Sequence, residues 1–449
     1  ITIIFSAILF FIFLRQIVEP EPAVIGALMY VYMPRFIHTV YIIGSIAEVL
    51  TFMAMAGVAS SLVKFYRTNN TFYLFGLSAF VAVAVLSHKM IAFWMFLIMI
   101  ATIIPYHRLR GAPYCVGLKV TLFTLLGILL TSFNTLPFLY ESHNVGAGGF
   151  LGLNVVDSSW RPTPPIYLIP TMISTVFTDI YVYAKEPGAL VHISPYNILM
   201  FFFAFGLWLK RKQFFPELRF RLVVYYRFFT ILAIFYFLCK LLATSGLLHL
   251  IFGNTIPLPV IETIARCTCF LFAVPVLVGI TFQAILPQTL NKRILFWAIA
   301  LAALVLFQSR YIILQPGRYP ERFYTHEAME FTGASYDVYS ALPRWVKKMP
   351  DRASRGISLI SGDAEFEILT RQNQVQRYRV QAKIPSQIQL ETFYYPSWRV
   401  TMDEKPVTVR IYNPYGTMAV QVPAGNHRIT MQFVAPASFD IGVLISLVS

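Results

Sequence analysis

The sequence predicts a polytopic α-helical membrane protein of about ten to eleven spans that ends in an extracytoplasmic β-sandwich domain. Three observations carry this prediction. Apolar residues make up 57% of the chain and charged residues only 13%, with a mean hydropathy of +0.64, an apolar excess beyond that of ordinary soluble domains. Long apolar runs recur up to Gln315, with basic clusters at their ends. After Pro316 those runs stop and a polar, period-two pattern begins.

A bilayer core takes about 20 mostly apolar residues per helix. On that measure spans fall near 1–15, 22–40, 41–65, 71–87, 90–106, 114–139, 191–209, 220–247, 262–286 and 293–314, with a partial one at 439–449. Pro34, Arg35 and His38 interrupt the second. The 40 Phe, 25 Tyr and 6 Trp suit lipid-facing and headgroup-level positions, where amphipathic rings settle. The chain opens inside an apolar run, Ile1 to Leu14, with no Met and no charged leader region, so this run is not a signal peptide. It closes as abruptly, and one or more further segments are expected before Ile1.

Charge orients the spans. Lys64 and Arg67, then His107, Arg108 and Arg110, then Lys210, Arg211 and Lys212, and finally Lys292 and Arg293 fall at alternate loops, all on one side. The positive-inside rule makes that side cytoplasmic. Loop 141–190 and everything after Gln315 are then extracytoplasmic, and the protein is integral to the cytoplasmic (inner) membrane. The formal charge of +15 and pI near 9.6 fit anionic lipid headgroups. Nucleic acid is excluded as a partner, because the basic residues sit at span ends and do not gather on one face among stacking aromatics.

The domain plan follows: a transmembrane helical domain over 1–315 containing the loop 141–190, a β-rich domain over 316–437, and the start of a final helix over 438–449. The loop begins with Gly146, Gly148, Gly149 and Gly152, then carries Asp157, Trp160 and Arg161 before a Pro-rich stretch through Pro170. Extramembrane loops of this length are functional or cover something that is. In the β-rich domain, alternation at Tyr378, Val380 and Ala382, and at Val407, Val409 and Ile411, predicts strands. Asn413-Pro414-Tyr415-Gly416 and Pro423-Ala424-Gly425-Asn426 predict turns between them, giving an antiparallel sandwich of about 110 residues. The four cysteines, Cys115, Cys239, Cys267 and Cys269, lie in or beside apolar runs and read as packing residues, not as ligands or disulfides.

Ionisable residues inside apolar runs face a cavity or a partner more often than lipid. They are Glu48, His88, Lys89, Lys119, Lys240, Glu262 and Arg266. The lysines can instead snorkel to the interface. Glu48 follows Tyr41, Gly44 and Ser45, and no long stem carries its short carboxylate away; it is either a functional acid near the outer mouth of its span or a hydrogen-bonding residue tied to the neighbouring loop. Glu262 and Arg266 stand four apart, as an i,i+4 ion pair or with the Arg266 fork turned to a phosphate. Trp398, in Tyr394-Tyr395-Pro396-Ser397-Trp398, is a core residue or a sugar-stacking one. No Walker A, G-x-S-x-G, H-E-x-x-H or Rossmann glycine pattern is present.

Four stretches resemble a known group of bacterial integral membrane proteins. They are Tyr41 through Glu48 and Leu50, Leu86-Ser87-His88-Lys89, Gly333 through Arg344-Trp345, and Tyr395-Pro396-Ser397-Trp398 through Gly425-Asn426-His427. On these the chain resembles the GT-C-like proteins labelled as related to 6-pyruvoyl-tetrahydropterin synthase, akin to the YfhO-type proteins. The resemblance covers most of the chain in order, and nothing in it looks like a soluble pterin enzyme.

The resemblance implies a GT-C-like bundle with a pocket at the outer face that moves sugar from a polyprenyl-phosphate donor to a lipid or protein acceptor. In that class the first outer loop supplies the acidic base, and this sequence begins after that point. The expected site comprises Glu48, orienting the acceptor or helping to hold a divalent metal, with Tyr41, His88, Trp160, Arg161 and Arg266 binding substrate. Arg161 and Arg266 are the expected contacts of the lipid phosphate. The chain reads alternatively as a non-catalytic accessory subunit of a larger membrane complex, with partner membrane subunits and the sandwich as a docking module. A transporter would show broken helices or paired repeats at the midplane, and neither is seen in the sequence.

Overall fold

The structure is a computed structural model that describes residues 1–33, 36, 39–40, 45–89, 91–92, 114–144, 206, 209, 275–276, 278–283, 289–309, 342–347 and 354–449. The chain divides into two compact units. One contains Ile1–Thr131, and the other contains Gln315–Ile445 together with Ser132–Ser159.

The first unit is helical: α1 (Thr2–Leu14), α2 (Pro20–Tyr32), α3 (Ile46–Thr68), α4 (Phe72–Ser87), α5 (Tyr114–Leu129) and α7 (Leu290–Ser309). Pro20 opens α2, where its missing N–H costs nothing. Asn69 closes α3 in the left-handed region at φ 52°, which asparagine tolerates. Only two residues then separate Asn69 from α4, so α3 and α4 run antiparallel. These helices are apolar around most of their circumference, and close backbone approach decides which faces meet. A Cβ on Gly57 of α3 would stand 2.5 Å from the Phe80 ring of α4, and one on Gly127 of α5 would stand 2.6 Å from the Ser78 carbonyl oxygen of α4. Small residues at such crossings are the means by which helices pack in an apolar solvent. Phe10 and Tyr30 stack at 4.1 Å between α1 and α2, and the Tyr30 hydroxyl donates to the Phe52 carbonyl at 2.7 Å.

Among the described residues, α3 is long and apolar enough to cross a membrane, and α5 with α6 (Ser132–Glu141) passes the same test only as a bent pair, a broken span or a re-entrant loop. Helices α1, α4 and α8 (Ala437–Val448) are apolar but shorter. The expected spans near 90–106, 191–209 and 220–247 lie wholly or almost wholly outside the described residues; of the one near 262–286, residues 275–276 and 278–283 are described, as helix that joins the core through Val276, Val278, Ile280 and Phe282. The run expected at 114–139 as one span is a pair of helices instead, broken at Leu130 and Thr131, with Pro137 inside α6. Cys115 is also a correction: it is exposed and free, so it does not pack.

The second unit holds a β-sandwich. One sheet has the order β1-β4-β8-β7, with β1 Ile357–Ser361, β4 Ser386–Phe393, β7 Arg410–Tyr412 and β8 Thr417–Val422. The other has the order β2-β3-β9-β5-β6, with β2 Ala364–Arg371, β3 Val375–Ala382, β5 Trp398–Met402, β6 Lys405–Pro406 and β9 Gly425–Phe433. All pairs are antiparallel. Tyr378, Val380 and Ala382 of β3 face Ile388, Leu390, Met418, Val420 and Val422 of the opposite sheet in one core, as their alternation predicted. Val407 and Val409 keep that alternation against the core but lie between β6 and β7, although the Val407 N–H still donates to the Val400 carbonyl of β5 at 3.1 Å. Trp398 also packs on the core and meets Phe433 edge to face at 5.4 Å, which is the core alternative.

Candidate functional site

Ser45 and Glu48 form the S-x-x-E sequence of a capping box at the start of α3. Half of that motif is made: the Glu48 backbone N–H donates to Ser45 Oγ at 3.4 Å. The other half is not, because the Ser45 N–H donates to the Thr39 carbonyl at 3.1 Å. The Glu48 carboxylate, only 9% exposed, instead accepts from the buried Thr39 hydroxyl at 3.3 Å. The carboxylate lies in the first turn of α3, at the positive end of the helix dipole. The expected tie between Glu48 and the neighbouring segment is therefore present.

His88 closes α4, and its Nδ1 accepts from the Ile91 N–H at 3.3 Å. Because α3 and α4 are antiparallel, Glu48 and His88 both lie at the end of the pair remote from the Asn69 turn, on the order of 30 and 24 Å along the axes from it. The structure thus brings two of the expected site residues to one end. Tyr41, Trp160, Arg161 and Arg266 lie outside the described residues, as do Lys240 and Glu262. Lys119 is exposed and Lys89 half-buried.

A second constellation lies in the sandwich unit, and it joins two of the stretches that carry the family resemblance. The Tyr395 hydroxyl and the Asn144 amide both donate to Glu141 Oε2, at 3.1 and 2.7 Å. The Arg344 N–H donates to the Asn144 carbonyl at 3.0 Å. The Arg344 guanidinium lies 4.8 Å over the Trp345 ring, which meets Tyr394 edge to face. Gly416 is required beside this pair: its φ is +68°, and a Cβ would stand 2.8 Å from the Trp345 backbone. Burial first, then the Glu141 charge, pushes the Tyr395 phenol up to about 12, so it remains a donor at neutral pH. Glu141 and Asn144 were not singled out from the sequence; the one signal was a carboxylate at a helix end just before a glycine-rich loop.

The Asp403-Glu404 turn, with both residues at positive φ, makes the two-residue β5–β6 hairpin loop that such conformations favour. Asp403 Oδ1 accepts from the Arg428 N–H at 2.8 Å, and Oδ2 pairs with His427 Nδ1 at 2.7 Å. These bonds, the backbone one first, hold the Asp403 carboxyl below its usual range. They fasten the hairpin to β9. Among the described residues no group of three His, Cys, Asp or Glu side chains is placed to hold a metal ion.

No protein-family model matches the chain, and no curated protein or solved structure does so either. The functional reading accordingly rests on the residues themselves.

Proposed function

We propose that this chain is a membrane glycosyltransferase-like protein with a GT-C-like bundle of about ten to eleven spans, using a polyprenyl-phosphate-linked sugar at the outer membrane face. The observation that supports this reading is the buried Glu48 carboxylate, which accepts from the Thr39 hydroxyl at the end of the helix pair that also holds His88. In the reaction, Glu48 takes the proton of the acceptor hydroxyl as that oxygen attacks the anomeric carbon. The bond from that carbon to the phosphate oxygen breaks, and the polyprenyl phosphate leaves with the electron pair. General-base assistance of this kind contributes about 10²–10⁴ in rate. The phosphate contacts belong to Arg161 and Arg266, and a divalent cation beside Glu48 fits the same chemistry.

The assignment of sides is supported by the Arg293–Glu21 contact at 3.6 Å. It joins the start of α7 to the start of α2, two ends that the charge pattern assigns to the same, cytoplasmic side.

The test uses the full chain in lipid nanodiscs with a radiolabelled polyprenyl-phosphate sugar and membrane acceptor lipids. Transfer by the native chain and its loss by at least about 100-fold in Glu48→Gln, with unfolding temperature retained, is the expected result. Equal turnover in the variant would remove Glu48 from the chemistry, and no product from the native chain would overturn the transferase reading. One observation favours the accessory-subunit reading instead: Leu118, Leu122, Leu125 and Leu129 form an exposed apolar stripe along α5, which partner helices could cover as well as lipid. Co-purification of the native chain with a stoichiometric membrane partner would select that reading.

A further inference from the structure

A groove of about 410 Å³ lies on the sandwich, lined by Gln387, Pro406, Val407, Thr408, Arg410, Ala419 and Gln421. Its position follows from register. Gln387 of β4 is paired with Gln421 of β8, and Arg410 of β7 with Ala419 of β8. Met418, Val420 and Val422 alternate into the core, so Ala419 and Gln421, with their partners, belong to the opposite face of the sheet. Three adjacent strands thus carry one amide, a small residue with a second amide, and a guanidinium, across about 10 Å at the usual strand spacing. The small, buried Ala419 lies at the floor, and Pro406 of β6 with Val407 and Thr408 just after it supply the rim.

The neighbouring row on the same face is spent on the protein itself: Ser358 donates to Gln389 Oε1, and Gln389 Nε2 donates to Thr417 Oγ1 at 2.8 Å. The groove row is not. Among the described residues, the side chains of Gln387, Thr408, Arg410 and Gln421 make none of the hydrogen bonds or ion pairs found elsewhere on the sheet. Two primary amides supply donors and acceptors suited to adjacent hydroxyls. A guanidinium supplies a planar fork for a carboxylate or phosphate. Pro406, exposed at the rim, supplies apolar surface for the C–H face of a ring.

We infer that this groove is a binding site for a saccharide that bears an acidic group, a uronate or a phosphorylated sugar, separate from the Glu48 site. Arg410 takes the anion and Gln387 and Gln421 take ring hydroxyls. The ligand is a soluble glycan or the sugar part of a lipid-linked one, since both present the same chemistry. The inference does not depend on transferase activity, and its test reads binding alone.

The full chain in detergent is applied to a glycan array holding uronate, sialylated and phosphorylated saccharides with their neutral counterparts, and the best ligand is titrated by calorimetry. Binding of an acidic saccharide, weakened about tenfold or more in Arg410→Ala and weakened in Gln421→Ala, supports the site. A phosphorylated lipid-linked form that competes better than the free glycan points to the lipid source, and equal competition to the soluble one. Both side chains are exposed, so the variants are expected to fold, and unfolding temperatures verify it. Absence of binding to every acidic saccharide, equal binding of neutral ones, or affinity unchanged in both variants would overturn the inference.

Discussion

In the helical unit Phe5, Phe75, Leu122 and Ile299 are exposed although their helices are as apolar on the buried side, whereas in the sandwich exposed Arg377, Arg379 and Gln381 alternate with buried Tyr378, Val380 and Ala382. The two regions are therefore specified by different information. A strand with one wet face reveals its inward residues through period two. A helix apolar on all sides reveals no face, and its neighbours are selected by where backbones can approach. Gly57 against Phe80 and Gly127 against Ser78 are such places.

The largest effect expected from this difference is at Gly127. Gly127→Leu drives a side chain against the backbone of α4, which cannot yield, and should destabilise the helical unit by about 2–3 kcal/mol. Gly117→Leu, on the same helix but with nothing within 4 Å of its Cβ, should cause no loss. Thermal unfolding of both variants in detergent checks the contrast. Equal losses would mean that close approach does not specify this packing.

An intermediate effect belongs to the sandwich core, where a hydroxyl is buried on purpose. The Tyr378 hydroxyl donates to Gln376 Oε1 at 2.6 Å, and burial pushes the phenol up. Tyr378→Phe leaves that amide oxygen short of a donor and should cost about 1–2 kcal/mol in a urea titration of the sandwich transition. No change in the midpoint would show that Thr392, which also donates to Gln376 Oε1, satisfies the site alone.

The smallest effect is the acid response of the β5–β6 hairpin. The Asp403 carboxyl is lowered from its ordinary value of 3.8, so its stabilisation is complete above that value. It is lost as pH falls through the lower folded value. Because the group is exposed, the contribution is small. Unfolding midpoints between pH 5 and pH 2 should fall less steeply in Asp403→Asn than in the native chain, and parallel curves would remove the hairpin tie from the account.

Much of the sandwich was legible because its signals are local: the alternation at 378–382 and the turns at 413–416 and 423–426 each lie within a few residues. The gap between β6 and β7 at Thr408–Val409 was not, since alternation reports facing and says nothing of hydrogen bonding. The break between α5 and α6 was hidden by an apolar run that continues across it. At the candidate site, Glu48 stood out as a short carboxylate in an apolar run, and its tie to Thr39 lies nine residues away. Glu141 was missed because its partner Tyr395 is 254 residues distant, beyond anything periodicity can report.

From the charge pattern of the sequence we propose that the sandwich and the Glu48 end of α3 are each extracytoplasmic. The most direct test is labelling of single cysteines by a membrane-impermeant maleimide in intact cells, starting from a cysteine-free chain. Gln381→Cys on the sandwich should label without permeabilisation, and Thr68→Cys at the far end of α3 only after it. Labelling of Thr68→Cys in intact cells with protection of Gln381→Cys would invert the orientation and remove the outer-face reaction with it.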